Sequence, residues 1–328
     1  MRELTAEPRT YPIRGVFRIS RGEKRTATVI EVAIQDGDRI GRGECVPYAR
    51  YGQTTEGVLA DIGRAAASVA AGATIAELQH TLPAGPARNA IECALWDLQG
   101  RAGGPSSLRL FTSTGPAQPV VSAFTLSLDT PEAMGAAAAA AAAMPVLKLK
   151  LGGDGDVERV RAVRAAAPRA RLVADANESW TPRHLRQVLP ALAELGVELL
   201  EQPLPAGSDE ALRDYAGPVL ISADESCHDR SSLPDLAGKY SAITVKLDKT
   251  GGPTEAAALL AEARSRGFVT MLGCMVASSL SMAPGVLAAQ QADVVHLDGP
   301  LLLTRDREPG LRYDGALVHP PTAEVWAG

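Results

Sequence analysis

The sequence predicts an α/β chain: a barrel of parallel strands preceded by a smaller α+β unit. From Pro119 onward, apolar strand-like runs recur near residues 121, 148, 173, 199, 221, 244, 269 and 295. Helical segments fall between most of them, as at 156–167, 181–195 and 254–266. The runs are almost continuously apolar, the pattern of strands buried on both faces. Eight such strands with crossover helices in roughly 180 residues read as a barrel.

The N-terminal third is patterned differently. Residues 28–34 (TVIEVAI) alternate as a strand, and Asp36-Gly37 followed by GRGECVPY completes an antiparallel hairpin. Segments 56–71 and 87–101 have helical apolar spacing, with Ile91, Leu95 and Leu98 on one face. Strands followed by helices indicate an α+β unit. The run Ala136 to Ala143 is apolar but short, so it reads as one more helix of the folded core.

Composition limits the function classes. The net charge of −5 argues against nucleic acid and against anionic membrane surfaces as partners. No apolar run is long enough to span a bilayer, and the N-terminus lacks a signal-peptide pattern. Cys45, Cys93, Cys227 and Cys274 are scattered and form no CxxC pair, which suits a reduced, cytoplasmic protein.

The chemistry sits at the strand ends, where such barrels carry their active sites. Lys150 ends VLKLK, Asp175 ends RLVAD, Glu201 ends VELLE, Asp224 follows VLISA and Lys246 follows AITV. Asp175, Glu201 and Asp224 come from consecutive strands and would crowd one cavity with negative charge. A hard divalent cation resolves that crowding, and oxygen donors suit Mg²⁺ better than Zn²⁺. Lys148 and Lys150 share one face of their strand. A neighbouring ammonium and a dication both favour a neutral amine, which suits Lys150 to general-base work. Lys246 lies across the barrel from it. Two opposed lysines can exchange a proton at the α-carbon of a carboxylate substrate, while the metal stabilises the enediolate between the two steps. Lys249 is close in sequence, but its odd offset turns it to the other face of a strand.

These residues resemble the enolase superfamily, in its muconate-lactonizing-type subgroup, and most closely the dipeptide epimerases. The likeness covers nearly the whole chain. It runs through GRGECVPYARYGQT and LPAGPARNAIECALWDLQGR, then LKLKL, VADANESW, LLEQPLP, ADESCHDRSSL, VKLDKTGG, MLGCM and LDGPLLL. It implies a modified (β/α)7β barrel of TIM type with an α+β capping domain. Residues 1–115 would form the cap and 116–303 the barrel, with a tail of about 304–328 packing on the cap. The resemblance implies one Mg²⁺ per active site on Asp175, Glu201 and Asp224. It makes Lys150 and Lys246 the acid/base pair, with Lys148 supporting Lys150. Asp298 would bind the free α-amino group of a small dipeptide. Many relatives carry DxD where this chain has His296-Leu297-Asp298. Relatives acting on Ala-Glu hold the distal carboxylate with a basic residue of the capping loop. In SRGEKRTA the aligned residue is Lys24, with Arg25 beside it and Arg18 and Arg21 as outside candidates.

The implied activity is epimerisation of the second residue of an L-Ala-Glu-like dipeptide, in recycling of murein peptides. The alternatives are a dipeptide epimerase of other specificity, an o-succinylbenzoate synthase or muconate cycloisomerase reaction, and a barrel that binds without turnover. The expected partner is a small dipeptide substrate, and a homo-oligomer is left open.

Overall fold

The computed structural model describes residues 1–103 and 116–327. The chain opens with β1 (Glu3–Ile19), β2 (Gly22–Asp36) and β3 (Arg39–Cys45), an antiparallel sheet in the order β1-β2-β3. Helices α1 (Thr55–Ala70) and α3 (Pro86–Gly103) pack on it, and α2 (Ile75–Thr81) packs on α3. The predicted hairpin is β2–β3. Strand β1 shows no readable alternation in sequence, because Pro8, Pro12 and its many exposed residues hide it. Its partner supplies the order: Leu4 pairs with Ile34 and Pro12 with Thr26.

Helix α3 lies almost in contact with β3. A Cβ at Gly41 would stand 2.0 Å from Ala94 O, and one at Gly43 would stand 2.1 Å from Ala90 O. Only glycine permits that approach. Side chains of α3 and β2, among them Ile91, Leu95, Ile30 and Val32, share one apolar core in this unit.

After β4 (Val120–Val121) comes the barrel. Its elements are β5 (Phe124–Leu126), α4 (Pro131–Ala140), β6 (Val146–Lys150), α5 (Asp156–Ala166), β7 (Arg171–Asp175), α6 (Pro182–Glu194) and β8 (Val197–Glu201). They continue as β9 (Leu220–Ala223), α7 (Leu233–Leu236), β10 (Ala242–Val245), α8 (Leu247–Thr250), α9 (Pro253–Ser265), β11 (Val269–Leu272), α10 (Ser279–Ala288) and β12 (Val294–Val295). Strands β5 to β12 form one eight-stranded sheet in sequential order, and every pairing in it is parallel. Ala123 N donates to Val295 O at 2.8 Å, so the last strand meets the entry to the first. This is the barrel that the sequence predicts. The connection from β8 to β9 carries only a short 3₁₀ turn, Glu210–Asp214, in place of a full helix.

The tail returns as β13 (Tyr313–Asp314) and β14 (Leu317–Val318), and β14 pairs with β4. Beyond it, the buried Trp326 donates its indole N–H to Arg42 O on β3 and Cys93 O on α3, both at 3.1 Å. No helix among the described residues is long and apolar enough to cross a membrane.

Candidate active site

Strand parity puts the chemistry inside the barrel. On β6, Leu147 and Leu149 face the surrounding helices, while Val146, Lys148 and Lys150 face the interior. The register then aligns the strand ends: Lys150 pairs with Asp175, and Asp175 pairs with Glu201. Asp224 and Lys246 sit just past β9 and β10. All six residues are buried.

The acids and amines interleave. Lys148 Nζ is 2.5 Å from Glu201 Oε2 and 3.2 Å from Asp175 Oδ2. Lys150 Nζ donates to Asp175 Oδ2 at 2.5 Å, and Lys246 Nζ donates to Asp224 Oδ2 at 2.6 Å. Burial alone would raise the Asp175 carboxyl, but Lys150 and Lys148 beside it hold it below the usual carboxylate range. Burial works against Asp224 too, and Lys246 and Lys249 overcome it. Glu201 behaves differently. Burial, reinforced by the charges of Asp175 and Asp224, pushes it up to about 8. Burial would lower the Lys148 and Lys246 ammoniums. Glu201 and Asp175 hold the first above its ordinary value, and Asp224 and Glu201 hold the second.

This set fits a hard cation. Three buried carboxylates end neighbouring strands, and Lys148 is the ammonium that meets Glu201, at Oε2 alone. Asp175 and Asp224 both push the Glu201 carboxyl up, a repulsion that a dication among the three would relieve, and all-oxygen donors select Mg²⁺-like ions.

Lys150 and Lys246 both line a cavity of about 430 Å³ between the barrel mouth and the β1–β2 hairpin. Phe17, Lys24, Tyr48 and Asp298 also line it. Lys24 stands 5.7 Å from the Tyr48 ring centroid, and among the described residues no ion-pair partner is found for it. Arg25, next along the strand, is not among the lining residues. Arg21 is fully engaged elsewhere. It donates to Asn177 O, to the Tyr48 hydroxyl and to Glu225 Oε1, each at 2.7 Å. Arg18 pairs with Glu23 and Asp129 at 3.0 and 3.3 Å.

At the far side, His296 Nε2 lies 2.7 Å from Thr125 Oγ1 and 2.9 Å from Asp298 Oδ1. Asp298 Oδ2 accepts from Thr125 N at 2.7 Å. Burial lowers the His296 pKa, so a neutral ring is favoured, and His296 in turn keeps Asp298 ionised against its own burial. Cys274 joins this pair, with one donor atom from each residue within 4.8 Å of the others.

Two features lie outside what the strand pattern predicts. One is the Arg21–Tyr48–Glu225 clamp, whose outer members are 204 residues apart. The other is Lys249. The chain leaves the strand after Val245 and enters α8, so strand parity no longer applies there. Its Nζ reaches Asp224. The helical i,i+3 spacing from Lys246 was the available signal.

Two family models match this chain. Residues 1–111 match the mandelate racemase / muconate lactonizing enzyme N-terminal domain, and residues 133–324 match the enolase C-terminal domain-like model. The chain belongs to the enolase superfamily. Within it, the chain is 42% identical over 321 residues to the L-Ala-D/L-Glu epimerase of Escherichia coli, covering 97% of this chain and 100% of that one. It is also 42% identical over 302 residues to the N-acetyl-D-glutamate racemase of a Pseudoalteromonas species, covering 92% and 95%. An enolase-family member from Agrobacterium tumefaciens, solved with sodium and L-Ala-L-Glu, superposes with a TM-score of 0.97 at 50% identity, covering 99% and 100%. A dipeptide epimerase from Enterococcus faecalis, solved with Mg and L-Leu-L-Tyr, gives 0.91 at 26% identity, covering 98% of both chains.

Proposed function

We propose that this enolase-superfamily chain is a Mg²⁺-dependent dipeptide epimerase that inverts the second residue of L-Ala-D/L-Glu. The observation that carries this reading is the placement of Lys150 and Lys246. Three strands separate β6 from β10 in the curled sheet, so their amines meet the cavity from opposite sides.

Asp175, Glu201 and Asp224 would hold the ion. When bound, Mg²⁺ supplies positive charge for the substrate carboxylate and for the extra negative charge that forms when the α-proton leaves. Lys150 Nζ takes the α-proton from one face, and the Lys246 ammonium returns a proton to the other. The reverse reaction exchanges their roles. Lys148 stays protonated between Glu201 and Asp175 and balances their charge. Phe17, 6.0 Å from Lys150 Nζ at its ring centroid, helps to screen that amine from water. Lys24 is free to meet the γ-carboxylate as a point charge. Asp298 receives the amino end of the dipeptide. A cytoplasmic role in recycling murein peptides follows from this substrate, and the absence of a CxxC pair agrees with that compartment.

The test is incubation with L-Ala-L-Glu and L-Ala-D-Glu in D₂O. Deuterium is expected at the α-carbon of glutamate in both epimers. No exchange with any Ala-Xaa dipeptide removes this reading.

One observation favours a second reading, racemisation of an N-acylglutamate. Both Asp298 oxygens already have partners, Thr125 and His296, so a substrate ammonium would have to share them. With three acids committed to the metal, Lys24, Lys150 and Lys246 leave the cavity electropositive and suited to a dianion. N-acetylglutamate assayed beside the dipeptides separates the two readings.

A further inference from the structure

Asp224 is gripped by two ammonium groups of different kinds. Lys246 lines the cavity and donates to Oδ2. Lys249 is not among the lining residues, and its side chain is only 1% exposed. Its Nζ donates to Asp224 Oδ1 at 2.6 Å, to the Asp224 carbonyl at 2.5 Å and to Thr244 O at 2.9 Å. A lysine ammonium has three donors, so all three are used. Two of the acceptors are backbone oxygens at barrel strand ends, which stay in place when a ligand enters. Lys246 can therefore release Asp224 for chemistry, whereas Lys249 stays.

We infer that Lys249 is a positioning residue that keeps Asp224 monodentate, and that this cap sets the preference of the site for a small octahedral dication over a larger one. The inference rests on the metal reading above. With Oδ1 held by a buried ammonium, Asp224 offers the ion a single oxygen. Asp175 is restricted in a milder way, since its Oδ1 accepts from Asn177 N at 2.9 Å. Glu201 is restricted too, since its Oε2 lies 2.5 Å from Lys148 Nζ. Mg²⁺ takes six near-ideal octahedral ligands and keeps several waters, so one oxygen per carboxylate suits it. Ca²⁺ takes more ligands at longer range and gains from bidentate carboxylates, which this arrangement withholds.

The experiment is calorimetric titration of the chelator-stripped full chain with Mg²⁺ alone and Ca²⁺ alone, for wild type, Lys249→Met and Lys249→Gln. Thermal melts of each variant verify its folding. Wild type is expected to bind Mg²⁺ more tightly than Ca²⁺. Lys249→Met frees Oδ1 and shifts the ratio of dissociation constants toward Ca²⁺ by about tenfold, the scale on which outer partners tune a metal site. Lys249→Gln retains an N–H donor without the charge and returns the ratio toward the wild-type value. A wild type that binds no Mg²⁺ overturns the metal reading and this inference with it. A wild type that binds Mg²⁺ without preferring it to Ca²⁺ overturns this inference alone. So does an unchanged ratio in Lys249→Met.

Discussion

His296 Nε2 lies 2.9 Å from Asp298 Oδ1, and both residues line the cavity. The histidine occupies the carboxylate that would receive a substrate ammonium. His296→Asp removes that partner and adds a second negative charge. The variant is expected to gain kcat/KM for L-Ala-L-Glu relative to N-acetyl-L-glutamate by about tenfold or more, since a hydrogen bond to a charged group contributes about 1.5–3 kcal/mol. Paired kinetics on the two substrates check this, and an unchanged ratio would show that His296 does not set amine recognition.

Opposed lysines make a stereochemical prediction. Lys150→Met and Lys246→Met should each lose epimerisation by about 10²–10⁴-fold, the usual contribution of a general acid or base. Each should still exchange one epimer with D₂O, without inversion, through the remaining lysine. The two variants should exchange opposite epimers. NMR of the α-proton reads this directly. Loss of exchange for both epimers in either variant would contradict the two-sided assignment.

Much of this site was legible because parallel strands impose parity. Lys148 and Lys150 had to share a face with Val146, and the end of each apolar run marked the barrel rim. The legibility stops where the chain leaves the strand. Strand parity keeps Lys249 out of the cavity but does not foresee its grip on Asp224, because α8 begins immediately after Lys246. Lys24 and Arg25 could not be separated from sequence, since the direction each faces depends on pairing with β1, a strand whose prolines and exposed residues conceal it. Contacts such as Arg21 with Glu225 join separate units and leave no local pattern.

Two buried acids outside the metal set give a pH dependence. Burial pushes Glu44 up to about 8, although Ser278 donates to it from both backbone and hydroxyl. Burial also raises Asp248 to about 7, against hydrogen bonds from Asn89 and Val46 N. Between their ordinary values and these, the folded chain keeps protons that the unfolded chain releases. Stability from these groups therefore falls as pH rises from about 5 to about 8, by at most ~1.4 kcal/mol per pH unit per group. Glu44→Gln should flatten its share of that slope and gain on wild type at pH 8 relative to pH 5. Denaturation series on metal-free protein at both pH values test it, and parallel pH profiles would refute it.

The C-terminal tail should act as a clasp on the N-terminal unit. Trp326 is fully buried and bonds both β3 and α3, and Ala327 N donates to Asp97 Oδ1 at 2.6 Å. Asp97 also accepts from Arg42 N at 2.7 Å and from Arg101 Nε at 2.9 Å, so the last residues complete a network that already joins α3 to β3. Trp326→Ala removes a large apolar group and the donor for two buried carbonyls. It is expected to cost about 3–5 kcal/mol, with faster hydrogen exchange in α3 than in β6. Leu317→Ser, at an exposed position of the same tail, should change stability by no more than about 0.5 kcal/mol. If both variants melt with wild type, the tail does not hold the cap. If Trp326→Ala melts early while α3 exchange is unchanged, the loss lies in the barrel rather than in the clasp.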